Sequence, residues 1–301
     1  MREKSERTRV SFNSGGAELV GYLYHAAAGN ADGDDPCVVM GHGFSGTQDR
    51  LFVGAQRFAG ASFAVLTFDY RNFGESGGQP RQLVSIEGKL EDWRAAIRFA
   101  RGLEGVDPER IALWGSSLGG GHVVCVAAEE PRIAAVVAQI PFNGYPRRVE
   151  GRSPLDSLKL LWAMGIDATR GILGRPPHYI PMVGKPGEVA VTATPQAQEH
   201  IAALSGESGH SLWRNEVAPR GLISMMRYRP GDEAHRLRMP LLLVCIAEHD
   251  LETPEELSRH IAERAPRGEL RRYPVSHFDF YRDPVRQRVL ADKIDFLRMH
   301  V

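Results

Sequence analysis

The chain has 301 residues, 43% of them hydrophobic and 25% charged, which is the composition of an ordinary globular protein. Its 37 basic residues balance its 37 acidic ones, so the basic excess typical of nucleic-acid-binding proteins is absent. The longest apolar runs, such as residues 241–247, are too short to cross a bilayer, and we expect neither a nucleic-acid partner nor a membrane span.

The N-terminal residues 1–12 are charged and lack the apolar segment of a secretory signal. The three cysteines, Cys37, Cys125 and Cys245, lie in apolar segments and cannot all pair with one another. Buried free thiols in a reducing compartment are the simplest interpretation. We therefore expect a cytoplasmic protein.

Two alternating segments, residues 8–14 and 18–26, predict a β-hairpin at the start of the chain. The runs that follow are apolar on both faces, as strands are in a parallel sheet covered by helices. These runs are residues 37–41, 64–70, 111–115, 133–140 and 240–247. Amphipathic helices are predicted at residues 86–103, 254–265 and 284–301. The alternation predicts an α/β fold with a doubly wound, mostly parallel sheet.

One connection, from Ile140 to Pro240, is far longer than a crossover helix needs. It has helical patterns of its own at residues 155–166 and 218–228. We predict a core formed by residues 1–141 and 237–301, with a helical cap, residues 142–236, inserted late in the sheet. The apolar content of this insert argues against the alternative of a disordered segment.

The segment Gly115-Ser116-Ser117-Leu118-Gly119 fits the pattern G-x-S-x-G, at the end of a predicted buried strand and the start of a helix. In such an elbow the serine adopts a strained conformation that lifts its hydroxyl clear of the sheet edge. The residues two before and two after the serine approach closely, which requires glycine at both places. This spacing selects Ser117, and not Ser116, as a nucleophile.

A serine nucleophile needs a base that is oriented by an acid, and in this fold the order along the chain is nucleophile, acid, histidine. Asp250 follows the late strand at 240–247, and it fits the turn best because its carboxylate is short. Glu248 and Glu252 are alternatives. The exit of the earlier strand, residues 140–146, carries no carboxylate, which favours Asp250.

The base is expected on a loop after the last strand. The segment 269–281 offers a short strand followed by His277, which is the only histidine between the helix at 254–265 and the final helix. We therefore predict His277 as the general base.

Two backbone amides are expected to stabilise an oxyanion. One is the amide of Leu118, at the N-terminus of the helix after the elbow. The other is expected in the glycine-rich loop after the first core strand, with Phe44 as the first candidate and Ser45 as the second. His42 is interpreted as a residue that fixes this loop by hydrogen bonding.

Neither metal-binding spacings nor nucleotide-binding motifs occur in the sequence, so we expect no metal site and no cofactor. Peptidase activity is a further alternative, but no acidic cluster is clearly placed to hold a substrate's amino terminus.

These motifs resemble those of the α/β-hydrolase superfamily, in particular its dienelactone-hydrolase-like and X-prolyl-peptidase-like branch. The resemblance rests on residues 41–49, 68–78, 113–121, 249–254 and 276–281. It implies a triad of Ser117, Asp250 and His277, with main-chain donors at Phe44 and Leu118. It also implies that the loop 69–76 has a structural role near the site.

We expect a serine hydrolase that cleaves a carboxylic ester or related acyl bond of a small molecule through an acyl-enzyme. Acyl transfer, elimination or C–C bond cleavage at the same site is the alternative, and a non-catalytic binding protein on this fold is a third hypothesis. The sequence leaves open whether the protein is a monomer or a homodimer.

Apolar side chains of the predicted cap suggest a pocket for an apolar substrate. The pocket candidates are Trp162, Met164, Met225 and Met226. The alternative is that these side chains form the cap's own small core.

Overall fold

The computed structural model describes residues 7–27, 34–145, 153–185, 187–207, 212–239 and 242–301. Pro240 and Leu241, predicted at the start of a core strand, lie outside the described residues, and so do parts of the predicted cap.

The described strands form one eight-stranded sheet in the order β1-β2-β4-β3-β5-β6-β7-β8. They are β1 (Arg7–Ser14), β2 (Ala17–Tyr24), β3 (Asp35–Gly41), β4 (Ala64–Phe68), β5 (Val106–Ser116), β6 (Ile133–Gln139), β7 (Leu242–Ala247) and β8 (Gly268–Tyr273). The predicted hairpin is formed by β1 and β2, and β2 also runs antiparallel to β4. All other neighbouring strands are parallel, as the apolar runs predicted.

The described helices are α1 (Phe52–Ala59), α2 (Ile86–Arg101), α3 (Leu118–Glu129), α4 (Pro154–Ile172), α5 (Pro195–Glu207), α6 (Gly221–Met225), α7 (Glu255–Arg264) and α8 (Val285–His300). Ser85 and Ser153 begin α2 and α4 as N-caps, because each hydroxyl accepts a hydrogen bond from an amide of the first turn. A 3₁₀ turn, His277–Tyr281, follows β8.

The sheet separates two hydrophobic cores. Successive residues of β3 alternate between them: Cys37 and Val39 belong to one core, and Val38 and Met40 to the other. This alternation follows from the twofold periodicity of a strand, and it explains why the strands are apolar on both faces.

Helices α4, α5 and α6 lie in the connection between β6 and β7. This connection contains the segment that the sequence predicts to be a cap, and its assignment as a separate domain stays a prediction. Among the described residues no helix is both long and apolar enough to cross a membrane.

The fold brings three polar residues, each of which follows a strand, to one edge of the sheet. Ser117 follows β5, Asp250 follows β7 and His277 follows β8. Because these strands are parallel, their carboxyl ends meet at the same edge of the sheet, where ligands bind in open α/β sheets.

Candidate active site

Ser117 occupies a sharp turn between β5 and α3, with φ 56° and ψ −119°. A non-glycine residue rarely adopts a positive φ, and such strain is found mainly where function requires it. Ser117 is partly exposed, whereas Ser116 is only 1% exposed. The structure therefore leaves Ser117 partly exposed and buries its neighbour.

The glycines around Ser117 are required by close approach. A Cβ atom on Gly115 would lie 2.2 Å from the carbonyl oxygen of Gly119, and one on Gly119 would lie 2.5 Å from the carbonyl oxygen of His42. Both distances are far below van der Waals contact, so any side chain at these positions would displace backbone. The pattern G-x-S-x-G thus has the steric cause that the sequence suggested.

The loop after β3 passes beside the elbow. A Cβ atom on Gly43 would lie 3.2 Å from Cβ of Ser117. Nζ of Lys89 donates to the carbonyl oxygens of Phe44 at 2.5 Å and of Gly43 at 3.4 Å, and Nδ1 of His42 lies 3.1 Å from the same Gly43 oxygen. These contacts fix the peptide planes of the loop.

The orientation of these carbonyls determines where the amides point. In a trans peptide the C=O and the following N–H point in opposite directions. Since the Gly43 and Phe44 carbonyls face Lys89, the amides of Phe44 and Ser45 point away from Lys89. This orientation is compatible with the predicted oxyanion donor at Phe44, and also with the alternative at Ser45.

Lys89 is a functional candidate that the sequence prediction missed. It is buried on α2, and its ammonium lies 4.3 Å from the ring centroid of Tyr70. Burial lowers the pKa of Lys89 to about 7, although the carboxylate of Asp92 acts in the opposite direction. The sequence feature that could have pointed to Lys89 is its position on the apolar face of an amphipathic helix, four residues before Trp93.

Asp250 and His277 form a buried pair. Nδ1 of His277 lies 2.8 Å from Oδ2 of Asp250. Oδ1 of Asp250 accepts from the amides of Glu252 at 2.8 Å and Thr253 at 2.7 Å, and the Thr253 hydroxyl lies 2.8 Å from Oδ2. The carboxylate is therefore held rigidly, and the engagement of Nδ1 leaves Nε2 of His277 available for proton transfer.

The environment of His277 shifts its pKa in two directions. Burial alone lowers the pKa, but the charge of Asp250 and the hydrogen bond to it outweigh burial, so the pKa of His277 is raised above its ordinary value. Asp250 thus stabilises the imidazolium that forms when a base accepts a proton.

The two alternative acids are placed differently from Asp250. Glu248 is exposed. Oε1 of Glu252 accepts hydrogen bonds from the hydroxyls of Thr192 at 2.9 Å and Thr194 at 2.7 Å, in the β6–β7 connection. Neither Glu248 nor Glu252 takes the position that Asp250 holds beside the imidazole.

Ser117 and His277, both described, share no hydrogen bond in this structure. Hydrogen bonds between a nucleophile and its base are often long before a ligand binds. The two loops are joined through a neighbouring residue, because Oγ of Ser116 lies 2.7 Å from the hydroxyl of Tyr281 in the turn that begins at His277.

The loop 69–76 is held by the buried carboxylate of Asp69. The carboxylate of Asp69 accepts from the amides of Gln48 at 2.8 Å and Glu75 at 3.0 Å. Burial raises the pKa of Asp69 to about 6, against the effect of these hydrogen bonds. This arrangement fits the structural role that the resemblance implied for the loop.

The four predicted pocket residues are not gathered on one surface. Met164 and Met225 are buried in the hydrophobic core, whereas Trp162 is 73% exposed and Met226 is 50% exposed. Trp162 lines an open apolar groove of about 500 Å³ on α4. Met164 and Met225 share this core with sheet residues such as Leu113, so they do not form a separate small core of the predicted cap.

No group of three or more His, Cys, Asp or Glu side chains is placed to hold a metal ion in the ranges that the structure describes.

Comparison with known proteins identifies the family. Residues 34–277 match the serine aminopeptidase family, S33. The chain belongs to this family of α/β hydrolases. The quorum-quenching protein AidA of Acinetobacter baumannii is 38% identical over 290 residues, covering 96% of this chain and 93% of AidA.

Two further similarities extend across most of this hydrolase. The polyketide transferase ATR5 of Stachybotrys chlorohalonatus is 28% identical over 246 residues, covering 80% of this chain and 78% of that protein. The crystal structure of the α/β hydrolase GrgF from Penicillium sp. sh18 superposes with a TM-score of 0.81 at 23% identity, covering 98% of this chain and 99% of that chain. The eight-stranded sheet is thus the α/β-hydrolase fold.

Proposed function

We propose that this α/β hydrolase cleaves a carboxylic ester or related acyl bond of a small molecule through a Ser117-His277-Asp250 triad. The observation that carries the proposal is the buried Asp250–His277 pair, with 2.8 Å between Oδ2 and Nδ1, at the same sheet edge as the strained Ser117. Membership of a serine hydrolase family supports it.

In the proposed reaction Oγ of Ser117 attacks the acyl carbonyl carbon while Nε2 of His277 takes its proton. The carbonyl oxygen becomes an oxyanion that accepts hydrogen bonds from the amides of Leu118 and Phe44, each contributing about 3 kcal/mol. The histidine then gives the proton to the leaving group, and the acyl-enzyme forms. Water, deprotonated by His277, attacks the acyl-enzyme and releases the acid together with free Ser117.

Covalent labelling with a fluorophosphonate probe tests the nucleophile. The wild-type protein should be labelled, and Ser117→Ala should lose both labelling and turnover of a chromogenic ester. Ser224→Ala, which removes an exposed hydroxyl on α6, serves as the control and should react like the wild type. Persistent labelling of Ser117→Ala would reject Ser117 as the nucleophile.

Acyl transfer is the second candidate, because the polyketide transferase ATR5 is similar over most of both chains. In this reaction an alcohol or amine replaces water as the acceptor of the acyl group. Analysis of the products formed from an activated ester in the presence of an added alcohol or amine distinguishes hydrolysis from acyl transfer. The free acid as the sole product supports hydrolysis, and an acylated acceptor supports transfer.

We also propose a cytoplasmic location. Cys37, Cys125 and Cys245 are all free and buried, as the sequence predicted, and buried free thiols are typical of reducing compartments.

A further inference from the structure

Ser116, the neighbour of the proposed nucleophile, is the centre of a buried polar network. Its Oγ accepts a hydrogen bond from Nε2 of Gln139 at 2.8 Å and lies 2.7 Å from the hydroxyl of Tyr281. Desolvating these groups is unfavourable, and apolar side chains of similar shape would fill the space without that cost. Packing alone therefore does not account for these polar side chains.

The partners of Ser116 belong to the elements that carry the site. Tyr281 ends the 3₁₀ turn that His277 begins. Gln139 is the last residue of β6, and its carbonyl oxygen accepts from the amide of Ser117 at 2.9 Å. The hydroxyl of Ser116 thus joins the strand that supports the nucleophile to the turn that carries the base.

Lys293, on α8, fixes the direction of the network. Its buried ammonium donates to Oε1 of Gln139 and lies 5.2 Å from the ring centroid of Trp114. An ammonium can only donate, so the amide oxygen of Gln139 must face Lys293 and the amide nitrogen must face Ser116. The amide can therefore not rotate without losing both contacts.

We propose that Ser116 and Tyr281 are positioning residues, whose hydrogen bond holds the turn of His277 against the elbow of Ser117. The inference rests on the proposed function of Ser117 and His277. The reason is geometric, because proton transfer requires the imidazole within hydrogen-bond distance of the hydroxyl, and a displacement of about 1 Å can reduce the rate by about 100-fold.

The bond is tested by a double-mutant cycle with Ser116→Ala and Tyr281→Phe. Each single variant should lower kcat for a chromogenic ester about tenfold and change KM by less than about twofold, because the acyl group is bound but the proton transfer is misaligned. The double variant should match Ser116→Ala, since both substitutions remove the same bond.

Tyr273→Phe is the matched control. Tyr273 is buried and Tyr281 is partly buried, and the hydroxyl of Tyr273 donates to Asp292 on α8 at 2.8 Å. This variant should lose thermal stability as Tyr281→Phe does, but it should keep the wild-type kcat. If Ser116→Ala does not fold, Tyr281→Phe and Tyr273→Phe still provide the comparison, because both preserve the ring.

Three results would overturn the inference: a wild-type kcat in Tyr281→Phe, a multiplicative loss in the double variant, or an equal loss of kcat in Tyr273→Phe. If the proposed function itself is wrong, the result is different: the wild-type protein is not labelled by the fluorophosphonate, or Ser117→Ala retains turnover. A labelled wild-type protein with an unaffected Tyr281→Phe rejects the positioning role alone.

Discussion

At the scale of single residues, the oxygens of Asp250 receive contacts from two amides, a threonine hydroxyl and the imidazole of His277. Asp250→Asn would keep the size but place an amide N–H₂ against Nδ1 of His277. The imidazole would then carry its proton on Nε2 and could not accept one from Ser117. We expect kcat to fall on the order of 10³- to 10⁴-fold in steady-state ester hydrolysis.

The alternative acids provide the controls for this substitution. Glu248→Gln alters an exposed neighbour and should retain the wild-type kcat. A loss in Glu252→Gln as large as that in Asp250→Asn would instead place Glu252 in the triad.

The raised pKa of His277 predicts a pH dependence of activity. A base must be neutral, so kcat/KM should rise with pH through the pKa of His277, and the midpoint should lie above the ordinary value of about 6.5. In Asp250→Asn the charge that raises this pKa is lost and burial continues to lower it, so the midpoint of the residual activity should move to lower pH. A pH–rate profile of both proteins measures the shift, and an unchanged midpoint would contradict it.

At the scale of elements, α2 supports the loop after β3 through Lys89. Lys89→Met would remove the donors to Gly43 and Phe44, and the loop amides would lose their fixed orientation. We expect kcat to fall by roughly tenfold or more, a loss of the size expected for a weakened oxyanion donor. Arg98→Met, which removes an exposed cation from the same helix, should leave kcat unchanged.

The same lysine predicts a pH dependence of stability. In the folded protein burial lowers the pKa of Lys89 to about 7. In the unfolded chain the pKa of this lysine is about 10.5. Between these values the unfolded state binds more protons, so this group makes the free energy of unfolding rise with pH. Lys89→Met lacks this contribution.

Thermal unfolding at pH 6 and pH 9 therefore separates the two proteins. The melting temperature of Lys89→Met relative to the wild type should be higher at pH 6 than at pH 9. A difference that does not change with pH would show that Lys89 keeps its charge throughout.

At the scale of the whole molecule, the sheet explains what the sequence could predict. Parallel strands with apolar faces have one common carboxyl edge, so residues at three strand exits could be expected to meet there. The pairing of Asp250 with His277 and the exposure of Ser117 agree with that expectation. Their catalytic roles stay predictions until the labelling and substitution experiments are done.

The β6–β7 connection was harder to predict because tertiary packing decides which helix face is buried. Trp162 and Met164 are two residues apart on α4, yet one is exposed and the other buried. Helix α5 was not predicted, although Thr194 and Pro195 are a typical helix start, with the Thr194 hydroxyl accepting from the amide of Ala197 at 3.2 Å. The predicted helix at 218–228 is only Gly221–Met225, and turns follow it.

The β6–β7 connection is attached to the core beside the acid loop, where Glu252 accepts from Thr192 and Thr194. Replacing both threonines by valine keeps their shape, but it removes both donors to the carboxylate and also the Thr194 hydroxyl that accepts from the amide of Ala197 in α5. We expect the segment 187–207 to open more often, since each lost hydrogen bond to a charged group weakens the attachment by about 1.5 to 3 kcal/mol.

Limited proteolysis followed by mass spectrometry measures this opening. The double valine variant should be cleaved within 187–207 several-fold faster than the wild type, while the labelling rate of Ser117 by a small fluorophosphonate stays the same. Thr169→Val is the control, because its hydroxyl donates within α4, to the carbonyl of Gly165 at 2.9 Å. If the proposed cap limits access to the site, the double variant should also gain turnover of bulky esters relative to small ones, because entry and not chemistry is what the attachment restricts.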